Sequence, residues 1–405
     1  MSNRDKLEKL DDLIKGTIEG QLVEQTVESL LPPGENYGSV MYKVDFKVKN
    51  EGEEKTYHAV AKCTPLNKVT QEFFNTQHTF KSEIGWYTTV IPLLKKCAQD
   101  YGLERELDFF QQYYGARTSL DQTSNAVDID GVILTENLKS IGYDNVDRHV
   151  GFDKPHTESF LKDLATFHAV PLAIRTKDPE LFEKQLKPYC STLLRTDLIK
   201  DFDNLWVQYL KDIPETEPYM ERVKKTIQAG NPFGPREIRE PWVTIVHVDM
   251  WCNNVMVTGP PNYKNIILDL QIPLVGSPAG DLIFFLLTSV ALDTVKDHLD
   301  YFIKLYYDYF IGDLEQMKVD TSVFTFEAFL EEIRKEMVNA EFLHALGHTQ
   351  AIFQNKGESM MDSSDENFTM DKIEGEVNKM RLNEKQIVKI RWITLESAKR
   401  NWLLE

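Results

Sequence analysis

The stretch that decides the fold runs from His247 to Gln271 and reads H-V-D-M-W-C-N-N-V-M-V-T-G-P-P-N-Y-K-N-I-I-L-D-L-Q. Two short apolar runs, Val255–Val257 and Ile266–Leu268, flank the turn sequence Gly259-Pro260-Pro261-Asn262, which signals a hairpin. A hairpin centred between Pro261 and Asn262 sets Asn254 opposite Asp269. Asp249 lies in the loop that enters it. Three oxygen-bearing side chains then meet at one mouth. One carboxylate that orients a hydroxyl, with an amide and a second carboxylate that hold a hard cation, is a set suited to phosphoryl transfer. Asp249 takes the first role, and Asn254 and Asp269 the metal-binding role. His247 is expected to brace the loop. A polar surface turn is the plainer reading of Asp and Asn alone. The HxDxxxxN spacing followed by a hairpin ending in Asp is much rarer by chance.

The support lies upstream. Val40, Tyr42, Val44, Phe46 and Val48 alternate with polar or flexible residues, which predicts a half-buried strand. Asn50-Glu51-Gly52-Glu53 turns it, and Tyr57–Ala61 forms the partner strand, which ends at Lys62. Lys62 is a single cation closing an apolar strand, placed to reach nucleotide phosphates if a carboxylate holds it. Phe73–Cys97 reads as helix, with Phe80, Glu83 and Tyr87 on one face. Glu83 is thus a charge among apolar neighbours and wants a partner. Lys62 and Glu83 explain each other. Gly34, Gly38 and Ser39 stand before or at the start of the first strand, where backbone N–H groups can cover phosphates, although an ordinary hairpin lead-in accounts for two glycines equally well.

Leu107–Tyr114 and Val127–Leu134 read as further strands of the same sheet. Thr135-Glu136-Asn137-Leu138 then leads into the Gly-containing loop Ile141–Gly151, an interlobe hinge facing a nucleotide base, with Glu136 on the nucleotide side. The expected division is residues 1–137 as a nucleotide-binding lobe and 138–405 as a catalytic and substrate lobe. Residues 4–31 carry apolar residues at near-helical spacing, which predicts one or two amphipathic helices stopped by Pro32-Pro33-Gly34. After the hinge the pattern is mostly helical, at Pro155–Val170, Leu193–Leu210, Pro218–Ala229, Leu282–Leu292, Thr294–Ile311, Phe324–His348 and Lys372–Leu404. Gly357–Asn367 reads as a polar loop. His168 is expected to be structural. Asp281 can cap the helix it opens and can also accept bonds from the catalytic-loop backbone, capping alone being the plainer reading.

Composition bounds the rest. The chain has 405 residues with 42% hydrophobic content and a net charge of −18, which disfavours a nucleic-acid surface. Its first residues hold no apolar core of a secretory signal, and Leu282–Leu292 is too short to span a bilayer. The four cysteines are scattered without a CxxC pair, so free thiols in a cytoplasmic protein are expected. Cys252 sits in the key loop, but no base is paired with it.

His247-Val-Asp-Met-Trp-Cys-Asn-Asn254, with Asp269-Leu-Gln271 and Asp281 downstream, resembles the ecdysteroid kinase-like (CHK kinase-like) family common in insects. That family is similar to choline kinases and aminoglycoside phosphotransferases. Its members typically show H-G-D-L-W-x-N-N and then D-F-Q. The resemblance extends through Gly34–Ser39, Lys62, Phe80-x-x-Glu83, Glu136-Asn-Leu138 and Phe167-His-Ala169, and so covers nearly the whole chain. It implies an α+β, protein-kinase-like bilobal fold, ATP with Mg²⁺, and phosphorylation of a small-molecule alcohol, an ecdysteroid or similar apolar hydroxylated compound. By motif position it implies Asp249 as base, Asn254 and Asp269 as metal ligands, and Lys62 with Glu83 as the phosphate-binding pair. A choline- or aminoglycoside-type kinase, or a binding protein without turnover, are the alternatives on the same fold. Neither nucleic acid nor membrane is an expected partner, and no oligomeric state is implied. Protein kinase activity is disfavoured, since no D-F-G to A-P-E segment follows Asp269. Val248 stands where the family usually has glycine, which denies the loop glycine's extra conformations. Leu270 replaces the usual Phe.

Overall fold

The computed structural model describes residues 6–30, 38–190, 202–354, 363–369 and 381–405. Gly34, and the expected elements where they run through 191–201, 355–362 and 370–380, lie outside the described residues.

Strand alternation builds the N-terminal lobe. Strands β1 (Gln21–Ser29), β2 (Val40–Asn50), β3 (Glu53–Cys63), β4 (Tyr113–Arg117) and β5 (Val132–Glu136) form one antiparallel sheet in the order β1-β2-β3-β5-β4. Asn50 pairs with Glu53, and the turn between them takes φ of 49° at Glu51 and 96° at Gly52. Positive φ at both central residues matches the twist of the strands it joins. The inward residues Tyr42, Val44, Phe46 and Val48 pack with Ala59, Ala61 and Leu134 under the short helix Leu10–Ile14. The opposite face carries Lys62 and its cross-strand partner Ile133 toward the helical segment Thr76–Tyr101.

The N-terminal segment is not the expected run of amphipathic helices. Only Leu10–Ile14 within residues 6–30 is α-helical, and Gln21–Ser29 is an edge strand. A bulge between Leu22 and Glu24 leaves Val23 unpaired, so the inward positions become Leu22, Gln25 and Val27. A bulge inserts one residue into a two-residue period, and the resulting three-residue step imitates a helix. The third and fourth strands also sit further along the chain than expected. Residues 107–112 instead run between the lobes, where Phe110 makes a single parallel bridge to Ile267.

The C-terminal part is helical as expected, with shifted ends. Its longest helices are Lys154–Lys177 and Leu292–Gln316. The helix Pro278–Thr288 is buried along its whole length. It begins four residues before the expected start, because Ser277 accepts from the Ala279 N–H as its cap. Asp281 is therefore not the cap and is free for other bonds. The last helix starts at Glu384 behind a capping box of Asn383 and Gln386. No helix among the described residues is long and apolar enough to cross a membrane.

Candidate active site

The hairpin exists, shifted by one residue. The strands Val255–Val257 and Asn265–Ile267 pair with Val255 opposite Ile267. Asn254 therefore faces Leu268, whose N–H donates to the Asn254 carbonyl at 2.9 Å. The expected Asn254–Asp269 register is corrected accordingly. Asp269 joins the group by another route. Its φ of 62° turns the backbone out of the strand, and its carboxylate reaches Lys62.

Lys62 stands between two carboxylates. Its Nζ donates to Glu83 Oε2 at 2.6 Å and to Asp269 Oδ1 at 2.5 Å. Burial opposes the ammonium, but both carboxylates outweigh it and hold Lys62 well above its ordinary value. Burial also pushes the Glu83 carboxyl up, and Lys62 opposes that rise. The charge of Glu83 thus depends on the ammonium staying in place. The expected pairing of Lys62 with Glu83 is present.

Asp249 lies in the loop between the strands Thr244–Val246 and Val255–Val257, and its side chain is 20% exposed. Asn254 Nδ2 donates to the Asp249 carbonyl and to its Oδ2, at 2.8 and 2.9 Å. His348, from the helix Phe342–Ile352, meets Asp249 Oδ1 at 2.9 Å. Burial raises the Asp249 carboxyl, yet the His348 bond and nearby histidines outweigh it and hold it below the usual carboxylate range. Using Nδ2 on Asp249 leaves the Asn254 Oδ1 for another partner. An amide oxygen and the Asp269 carboxylate would make an all-oxygen donor set, which fits a hard divalent ion such as Mg²⁺.

The loop is held from behind. Asp281 accepts from the His247 N–H at 2.6 Å, the Val248 N–H at 2.9 Å and His168 Nε2 at 3.0 Å. His168 in turn meets the Tyr306 hydroxyl at 2.6 Å, a structural role as expected. His247 Nε2 reaches the Leu268 carbonyl at 2.8 Å, so it ties the loop to the hairpin. Burial pushes the Cys252 thiol up to about 12, in keeping with packing rather than reactivity.

Val248 corrects an expectation. Its φ is 73°, so valine adopts the left-handed conformation that glycine would take freely. The strain is on the order of 1–3 kcal/mol. Burial of Val248 among Val246, Ile272 and Leu274 offsets it by roughly 1.5–3 kcal/mol. Val248→Gly is therefore expected to shift stability by less than about 1 kcal/mol in urea unfolding, since it loses the burial and the strain together. Val248→Ala should be the worse variant, because it gives up the methyls yet keeps a Cβ. The reverse order would refute this balance.

Ser39 is buried at the entry to β2. A Cβ on neighbouring Gly38 would lie 3.5 Å from the Phe74 ring and 3.6 Å from Gln271 Nε2, so this turn closes over the Asp269–Gln271 segment. Glu136 ends β5 at the hinge. Its N–H donates to the Gln112 carbonyl and its own carbonyl accepts from Gln111 Nε2. A cleft of about 510 Å³ lies there, lined by Glu136, Leu138, Tyr143 and Ile266 among others and by none of Lys62, Asp249 or Asp269. Sequence reading missed His344 and His348, although H-A-L-G-H at four-residue spacing was a visible signal. It also missed the apolar cluster of Leu138, Met256 and Ile266.

A lysine clamped by two acidic residues, facing a carboxylate loop and hairpin across two lobes, defines a kinase-like phosphotransferase. The chain belongs to the ecdysteroid kinase-like family, whose model matches residues 33–319. Among curated proteins none matches the sequence. Among solved structures, an ethanolamine kinase from Plasmodium vivax is 11% identical, with 93% of this chain and 83% of that one covered and a TM-score of 0.42. A spectinomycin phosphotransferase in complex with ADP and spectinomycin is 13% identical, with 92% and 93% covered and a TM-score of 0.40. At these identities and scores both likenesses are remote.

Proposed function

We propose that this protein transfers the γ-phosphate of ATP to a hydroxyl of a small, largely apolar alcohol of the ecdysteroid type. The observation that carries this reading is Lys62 bonded at once to Glu83 and Asp269, next to the Asp249–Asn254 pair. The lobes divide at 137/138. Glu136 and Leu138 would hold the base of the nucleotide, and Lys62 with the Ser39 turn would hold its phosphates. Asn254 and Asp269 would hold Mg²⁺, which when bound neutralises charge on the phosphates. Asp249 orients the acceptor hydroxyl. Its carboxyl sits below the ordinary range, so it takes the proton as transfer proceeds rather than before it. The family supports an ecdysteroid-like acceptor.

The test is ATP consumption over a panel of ecdysteroids, other apolar alcohols, choline and aminoglycosides, with the product identified by mass spectrometry. A phosphorylated ecdysteroid or similar alcohol supports the assignment. Turnover of choline alone overturns the acceptor class, and no turnover on any alcohol overturns the reaction. The phosphate-binding pair has its own test. Glu83→Gln should lower kcat/KM for ATP by about 10–100-fold, the worth of a hydrogen bond to a charged group. An unchanged value removes Glu83 from the nucleotide site.

A further inference from the structure

His344 and His348 stand four residues apart on the helix Phe342–Ile352, which puts both imidazoles on one face with ring centroids 4.7 Å apart. That face meets Asp249. One donor atom from each of Asp249, His344 and His348 lies within 4.8 Å of the others. Ligands at tetrahedral zinc, with bonds of 2.0–2.1 Å, sit about 3.3 Å apart, so closure needs roughly 1 Å of side-chain movement.

A second observation points to a ligand. His344 is 2% exposed, and its Nδ1 meets Glu341 Oε2 at 2.8 Å. Glu341 is itself paired with Arg236 at 2.7 Å. A carboxylate at Nδ1 draws the ring N–H there and leaves Nε2 as a bare lone pair. That Nε2 is fully buried and has no hydrogen-bond partner. A buried polar atom left unsatisfied costs about 1–3 kcal/mol, which calls for a function. Burial holds His344 well below its ordinary value. A carboxylate behind a histidine that offers its other nitrogen is the usual outer shell of a metal ligand.

We propose that Asp249, His344 and His348 form a three-ligand site for a divalent transition ion of the zinc class, distinct from the oxygen-ligand position at Asn254 and Asp269. Two imidazoles and one carboxylate select such an ion over Mg²⁺. On binding, the His348 proton moves from Nε2 to Nδ1, and Nε2 exchanges its hydrogen bond to Asp249 for the metal. A filled site takes Asp249 away from the acceptor hydroxyl. This regulatory consequence rests on the proposed kinase reading, whereas the binding itself does not.

The experiment titrates Co²⁺ into the metal-free full-length protein in excess Mg²⁺ and follows visible d–d absorption. One Co²⁺ should bind with an intense tetrahedral-type band and be displaced by Zn²⁺. His344→Gln and His348→Gln should each weaken it by at least about tenfold, with circular dichroism confirming the fold. His348 is partly exposed, so its variant keeps the test open if His344→Gln does not fold. Absent binding, or binding unchanged in a folded variant, overturns the site. Zn²⁺ should inhibit ATP consumption in a chelator-reversible way, and the inhibiting concentration should rise at least about tenfold in His344→Gln. Inhibition unaltered in that variant overturns the regulatory role. Co²⁺ binding without ATP turnover on any alcohol supports the site while ending the kinase reading.

Discussion

Asp249→Asn is expected to cut kcat by about 10²–10⁴-fold, the range for loss of a positioned acid–base group. KM for ATP should change little. The reason is local. Asp249 is bonded to Asn254 and His348 and makes no bond to Lys62, so the Lys62–Glu83–Asp269 clamp survives its loss of charge. An interaction made with the acceptor in the transition state lowers kcat when removed, whereas uniform binding of the nucleotide would have raised KM. Asparagine keeps the shape and the contact to Asn254, so the fold should hold. Steady-state kinetics on the best acceptor, with nucleotide affinity from calorimetry, separates the two. Near wild-type kcat in Asp249→Asn would remove Asp249 from its proposed role.

Asp281→Ala should cost on the order of 3–5 kcal/mol, because two buried backbone N–H groups and a buried histidine lose a charged acceptor at once. The side chain is 3% exposed, so water does not replace it readily. Such a loss is a large part of the 5–15 kcal/mol typical of a folded domain. Activity should fall too, since the same N–H groups fix His247 and Val248 just before Asp249. The pH dependence carries a sign. Burial raises the Asp281 carboxyl, but the bond and charge of His168, the charge of His247 and the His247 backbone bond outweigh it and hold it below its ordinary value. A depressed carboxylate stabilises the fold fully above its unfolded pKa of about 3.9 and loses that stabilisation as pH falls through the lower folded value. The gap in urea midpoint between wild type and Asp281→Ala should therefore be steady from neutral pH to about 5 and close only in stronger acid. A gap that closed between pH 7 and 6 would assign the effect to another group.

The chemical side chains and their chain order were legible from residue types alone. So were the alternation of β2, the turn at Glu51-Gly52 and the largely helical second half. These are local properties. Alternation reports which face of a strand is apolar, and a turn needs only its own residues to accept positive φ. Where local periodicity misled, a tertiary cause is visible. The bulge at Val23 gave β1 the spacing of a helix, and pairing to β2 decided the matter. The hairpin register depended on the conformation of the turn, which residue types did not specify to one position.

What the sequence by itself determined is therefore the set of groups available: a lysine closing a strand, an acidic residue on the next helix, and a loop and hairpin bearing Asp249, Asn254 and Asp269. What only the tertiary structure decided is which of them touch. Lys62 meets Asp269 across 207 residues, and His348 meets Asp249 across 99. Val248 takes a glycine's conformation because Asp281, on a separate buried helix, accepts its N–H. Such contacts follow from how lobes and helices pack. Periodicity identifies the face a residue occupies, but the neighbour that covers that face is set by the close packing of the whole chain.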